Sequence, residues 1–281
     1  MRKSLLIVVV AAMTALIPVS SALASPYTLQ RFGAKVVGKA GTDKKPSSVG
    51  VYINPFHIFS DKGGADNAGG VNSGALLEPT FETVAAHVYL PKQMTISTAG
   101  FASCKEEVIL ATPDNCPKGS DIGKGKAYGW ARTATAPSGT FVTGVSLEVR
   151  VFILSSNSVA LRVYADTTGA NIMTGVIGKA KGAAAKTYGT DISFTLPKGL
   201  VEPFTGLASQ LAAFDSTLNA QKNSKGKPMI SLKACPKNKK LSFGYNGLYN
   251  VGLDKKGSPR TALGYTISKT GPIVGITAPC R

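Results

Sequence analysis

Across residues 140–154 six apolar side chains fall on one parity: Phe141, Val145, Leu147, Val149, Val151 and Ile153. A period of two suits an extended strand with one buried face, and it cannot be gathered onto one stripe of a helix. Ser155-Ser156-Asn157-Ser158 supplies turn-forming residues, after which Val159, Leu161 and Val163 resume the alternation. The two runs predict a β-hairpin. Arg150 and Arg162 have the opposite parity and are expected at solvated cross-strand positions.

Similar short runs predict strands at 30–39, 49–53, 83–90, 124–132, 172–179, 186–196, 229–233, 240–245, 261–268 and 273–277. Leu207, Leu211, Phe214 and Leu218 fit helical spacing, yet 214–218 also alternates, so a helical turn over 207–212 running into a strand is expected. So many short strands predict an all-β fold: a two-sheet antiparallel sandwich, jelly-roll-like, with at most one short helix. Composition agrees. The chain is 43% hydrophobic and only 17% charged, which excludes a disordered polycation, and it carries no sustained heptads.

The N-terminus reads as an address. Arg2 and Lys3 precede an apolar run over residues 5–19, and Ala22-Leu23-Ala24 has the small-x-small form of a cleavage site. Residues 1–24 are therefore expected to be a signal peptide, a helix removed on export. Residues 25–281 are expected to form one domain with no transmembrane span after cleavage. A short echo keeps open two half-units, 25–135 and 136–281. Leu90-Pro91-Lys92 and Leu196-Pro197-Lys198 are each followed by Cys-Pro-Lys. The expected location is secreted, extracellular or held at the cell envelope.

Four cysteines in an exported chain read as two disulfides, for which three connectivities exist. Cys104–Cys116 and Cys235–Cys280 are the expected pairs. The first closes a loop holding the turn cluster Pro113-Asp114-Asn115, and the second ties down the chain end. No metal is expected, because there is no Cys-x2-Cys pair and the only histidines are His57 and His87.

The stretch from Cys116 to Ala127 reads Cys-Pro-Lys-Gly-Ser-Asp-Ile-Gly-Lys-Gly-Lys-Ala. It resembles a Cys-Pro-x-x-Ser-x-Ile-Gly-x-Gly-x-Ala motif of uncharacterised exported β-rich proteins of high-GC Gram-positive bacteria. The resemblance covers roughly residues 85–130. It implies export and a β-rich fold, and no activity.

Chemical motifs are mostly excluded. Gly123-Lys124-Gly125-Lys126 lacks both the spacing and the hydroxyl of a phosphate loop, and Tyr128 stands where a dinucleotide fingerprint needs its third glycine. No Gly-x-Ser-x-Gly elbow occurs, and His57 and His87 read as structural rather than basic catalysts. Glu82, Glu106, Glu107, Glu148 and Glu202 could include a glycosidase pair, which leaves a carbohydrate-active hydrolase on a β-sandwich as the alternative function. Asp61, Asp66 and Asn67, in the polar glycine-rich loop over 60–74, fit no calcium-loop spacing. No cofactor is expected.

Charge is the remaining lead. Removing two basic residues with the signal lowers the formal charge from +17 to +15. No acidic residue lies between Asp215 and Asp254, while Lys222, Lys225, Lys227, Lys233, Lys237, Lys239 and Lys240 do. A positive field of this kind attracts polyanions. Outside a Gram-positive cell these would be anionic wall polymer, acidic polysaccharide or an anionic lipid surface. Lysine rather than arginine dominates, and no nucleic-acid motif appears, so no specific nucleic-acid partner is expected. The reading is a non-enzymatic binding or structural protein of the envelope, using those seven lysines.

Overall fold

The computed structural model describes residues 30–57, 82–133, 141–201, 203–204, 207–250, 268–271 and 273–281. The signal-peptide residues, the 60–74 loop with its calcium candidates, Glu202 and nearly all of the 261–268 strand lie outside these. The described strands are β1 (Gln30–Val37), β2 (Ser47–Ser48), β3 (Gly50–His57), β4 (Glu82–Pro91), β5 (Met94–Ile96), β6 (Asp121–Thr133), β7 (Phe141–Ser155) and β8 (Ser158–Ala165). They continue with β9 (Gly169–Lys179), β10 (Tyr188–Thr195), β11 (Leu207–Leu218), β12 (Ile230–Leu232), β13 (Lys240–Asn250), β14 (Ser268–Thr270) and β15 (Val274–Pro279). Two short helices, α1 (Glu106–Ala111) and α2 (Lys198–Val201), join them.

The fold is all-β and antiparallel, as the alternation predicts. One large sheet runs β1-β3-β11-β6-β7-β8-β9-β10-β4-β13, and β13 pairs with β15 along its first half and with β14 along its second. The sheet curls until β15 meets β1, so that eleven strands form a nearly closed barrel-like circuit. Neighbours alternate in direction all the way round. An odd number of strands then leaves one junction parallel, and that junction is β15 against β1, where no strand ladder forms. A backbone bond links the two segments just beyond it, from the Ala40 N–H to the Arg281 carbonyl. Strands of the two chain halves interleave: β11 lies between β3 and β6, and β4 between β10 and β13.

Barrel width grows with strand number, and about eight strands already enclose all that side chains can fill. Eleven strands need something more. At one end it is supplied by a three-stranded sheet, β2-β12-β5, lying across the opening. Met94 and Ile96 of β5, Ile230 and Leu232 of β12, and the adjoining Met229 are all buried in the main core beside Val51, Ile122, Ile153 and Phe243. β1, β4, β7, β9, β11 and β15 finish at this capped end, and β3, β6, β8, β10 and β13 start there.

The β7–β8 hairpin has the predicted register, with Val149 opposite Val163 and Arg150 opposite Arg162. Its outward face is not wholly solvated. Phe152 and Ala160 point away from the main core and are covered by Ile109 of α1 and by the Cys104–Cys116 loop. Arg150 also departs from the solvated position expected of it. It is half-buried, its Nε and Nη2 donate to Asp121 Oδ2, and its Nη1 donates to Asp114 at 2.7 Å, inside the disulfide loop. Arg162 places its guanidinium 4.8 Å from the Tyr164 ring centroid.

Residues 207–218 are strand throughout, so the helical turn expected over 207–212 does not form. Pairing with β6 from Leu207 onward, joined by β3 from Ala213, outweighs the local 3.6 spacing. Helix occurs instead at α1 and α2, two short segments where one at most was expected, and their six and four residues are too few for a periodic signal to be read.

The Cys116–Ala127 motif resolves into packing. Ser120 donates both its N–H and its hydroxyl to the Pro117 carbonyl, closing a turn, and its own carbonyl accepts the Ile153 N–H. The β6–β7 register shifts between Asp121 and Gly123, which leaves Ile122 as a bulge residue, fully buried. A Cβ at Gly123 or Gly125 would overlap the carbonyls of Thr217 or Asp215 on β11. The glycines admit a neighbouring backbone, and Lys124 and Lys126 are exposed.

Candidate functional site

The capped end carries the connections 38–46, 92–93, 97–120, 156–157, 180–187, 219–229 and 233–239, and bonds tie several of them together. Gly41 N–H donates to the Leu232 carbonyl, Lys233 N–H to that of Gln93, and Asn223 Nδ2 to that of Ala99. Lys92 Nζ reaches the Lys186 carbonyl at 2.8 Å.

Two turns present the expected lysines, one on each side of β12. In the first, Lys222 bridges to Pro228, Gly226 takes φ +72°, and Asn223 Oδ1 accepts the N–H groups of Lys225 and Lys227 at 3.0 Å each. That pattern turns the backbone inward to the asparagine and the lysine side chains outward. In the second, Lys239 adopts φ 55°, donates its N–H to the Pro236 carbonyl and accepts the Cys280 N–H. Asn238 Oδ1 accepts the Lys240 N–H at 3.1 Å. Both disulfides are formed, Cys104–Cys116 and Cys235–Cys280, and the second locks this turn to the chain end. Closed disulfides accord with an oxidising, extracellular setting. No helix among the described residues is long and apolar enough to cross a membrane.

All seven lysines, Lys222, Lys225, Lys227, Lys233, Lys237, Lys239 and Lys240, are exposed, and none pairs with an acid among the described residues. The structure adds others from distant parts of the chain: Lys39, Lys44, Lys45, Lys92, Lys179, Lys181 and Lys186, each exposed at the same end. Across 38–46, 92–93, 180–187, 219–229 and 233–239 the only carboxylate is Asp43, while 97–120 adds Glu106 and Glu107 on α1 and Asp114, which accepts from Arg150. The acid-free stretch pointed to half of this surface. The other half was readable only from strand parity, because an antiparallel barrel returns every second loop to the same end.

Elsewhere the titratable groups serve packing. His87 Nδ1 donates to Asp191 at 2.9 Å, and that hydrogen bond raises the imidazole above its usual range against a smaller opposing effect of burial. Its ring lies parallel to Tyr89, which stacks on Tyr188 at 5.2 Å. Burial raises both phenols. His57 ends β3. Of the carboxylates weighed as glycosidase candidates, Glu106 and Glu107 are on the first turn of α1, Glu148 is an exposed residue opposite Lys126, and Glu82 starts β4. The described members of the set are thus dispersed. No group of three metal-ligating side chains occurs among the described residues. Compared with family models, with curated proteins and with solved structures, the chain matches none.

Proposed function

We propose that this is an exported, non-enzymatic binding protein of the cell envelope that holds an anionic polymer on the capped end of its barrel. The observation that carries the reading is the convergence of exposed lysines from five separate connections, among which the only carboxylate is Asp43, onto the capped end. Charges clustered on one face sum into a field that raises local polyanion concentration. Ammonium groups on long stems are point charges rather than forked donors, so they suit a repeating charge without a fixed shape. An anionic wall polymer fits that description. The signal-like N-terminus and the two disulfides support the location.

Co-sedimentation with purified cell walls tests it. Binding is expected at about 50 mM salt and should fall steeply by several hundred millimolar, as exposed charges are screened. Changing Lys222, Lys225 and Lys227 to Gln should cut it at least tenfold, while changing Lys124 and Lys126 on the barrel wall should not. No binding at low salt, or equal loss from both sets, overturns the reading.

A further inference from the structure

The outer face of the cap sheet carries a row of hydroxyls. Ser48, Ser231 and Thr95 are paired across β2, β12 and β5, and residues paired in register share a face. Their neighbours Ile230 and Leu232 on β12, and Met94 and Ile96 on β5, are buried in the main core, so the row faces outward. Alternation requires this, because a strand laid across an apolar opening turns every second residue to solvent.

Lysines border the row at both ends. β12 runs antiparallel to β2 and β5, so the segment that follows it lies beside the segments that precede them. Backbone bonds fix that arrangement: Lys233 N–H donates to the Gln93 carbonyl, and Gly41 N–H to that of Leu232. Lys44, Lys45, Lys92 and Lys233 are therefore exposed at one edge, where they outnumber Asp43. At the other edge Ser97 N–H donates to the Met229 carbonyl, which brings the turn of Lys222, Lys225 and Lys227 alongside. The three residues of β12 separate the two edges by about 10 Å at the rise of an extended strand. Glu106 and Glu107 are carried away from the row, since α1 packs on Phe152 and Ala160 at the barrel wall.

Most of the row's protons are already committed. Ser48 Oγ donates to the Gln221 carbonyl at 3.2 Å, and the Thr95 and Ser231 hydroxyls share one bond at 2.6 Å. These bonds leave one proton of the three, while each oxygen keeps a lone pair to offer. A floor of acceptors suits a ligand that brings O–H donors, and it repels a bare anion toward the ammonium groups at the edges. A rigid sugar ring would call for an aromatic face to stack on, and the row has none. We propose that this face seats an acyclic polyol phosphate chain, its hydroxyls over Ser48, Ser231 and Thr95 and its phosphodiesters against the lysines at either edge. The proposal rests on the basic end being a polyanion site, and adds what the polymer carries between its charges.

Calorimetry on the full chain tests it with three probes: purified poly(glycerol phosphate), inorganic polyphosphate, which has no hydroxyls between its charges, and polygalacturonate, which is built of rings. At about 150 mM salt, where screening trims non-specific attraction, poly(glycerol phosphate) is expected to bind at least tenfold tighter than either. Thr95→Val combined with Ser231→Ala removes two hydroxyls and no charge. That variant should lose at least fivefold for poly(glycerol phosphate) and keep its affinity for polyphosphate. Should it not fold, the preference of the native protein decides alone. Equal affinity for the three polymers, tighter binding of polygalacturonate, or undiminished binding by the folded variant each overturns the proposal. The two readings fail separately. Absence of wall binding at low salt overturns the basic end as a polyanion site, whereas wall binding without a preference for poly(glycerol phosphate) overturns the polyol phosphate seat alone.

Discussion

His87 and Asp191 sit on adjacent strands, β4 and β10, and their side chains join at 2.9 Å on the outside of the barrel. The bond raises the imidazole above its unfolded value near 6.5. A group raised on folding adds stability that is complete below the unfolded pKa and is lost as pH climbs through the folded one. His87→Gln should therefore lower the melting temperature more at pH 5.5 than at pH 8.5. A gap that is constant or grows with pH contradicts the pairing. Imidazole proton NMR gives a second check, because the chain has only two histidines.

The two disulfides differ in span, 12 residues for Cys104–Cys116 and 45 for Cys235–Cys280. Loop-closure entropy puts the first near 3 kcal/mol and the second near 4 kcal/mol. Removing Cys235–Cys280 should also release β15 from β13 and disturb the lysine turn at 237–240. Removing Cys104–Cys116 should free α1 and expose Phe152, leaving the basic end intact. Urea unfolding with hydrogen exchange on each Cys→Ser pair distinguishes these outcomes.

Two glycines of the large sheet, Gly125 on β6 and Gly178 on β9, should behave oppositely. A Cβ at Gly125 would meet the backbone carbonyl of Asp215, which cannot swing aside, whereas Gly178 has nothing within 4 Å. Gly125→Ala is expected to cost about 2–3 kcal/mol, in the range of overpacked sites. Gly178→Ala should stay within about 0.5 kcal/mol, as surface changes do. Equal stabilities by chemical denaturation would show that β11 does not approach β6 as described.

The lysines of the capped end make no ion pairs with described acids, so their charge is expected to contribute little to folding. The Lys222, Lys225 and Lys227 to Gln protein should melt at its usual temperature, with stability changed by no more than about 0.5 kcal/mol. A large loss would mean that the turn depends on those ammonium groups.

Alternation and turn residues were enough to determine the β7–β8 hairpin and the all-β class, because each is a property of nearby residues, and the cysteine count and placement pointed to both disulfide pairs. The 207–212 segment shows the limit. Its own spacing favoured a helix, and the strand won because β6 offered it a ladder and β3 paired with its continuation from Ala213. The curling of one sheet into an eleven-strand circuit and its three-stranded cap are set by pairings far apart in the chain. So is the basic end. Lys222 and Lys240 share an acid-free stretch visible in the sequence, but Lys39, Lys92 and Lys186 join them only because antiparallel pairing returns alternate loops to one end. Local chemistry specified the elements, and long-range pairing decided which of their charges and apolar faces meet.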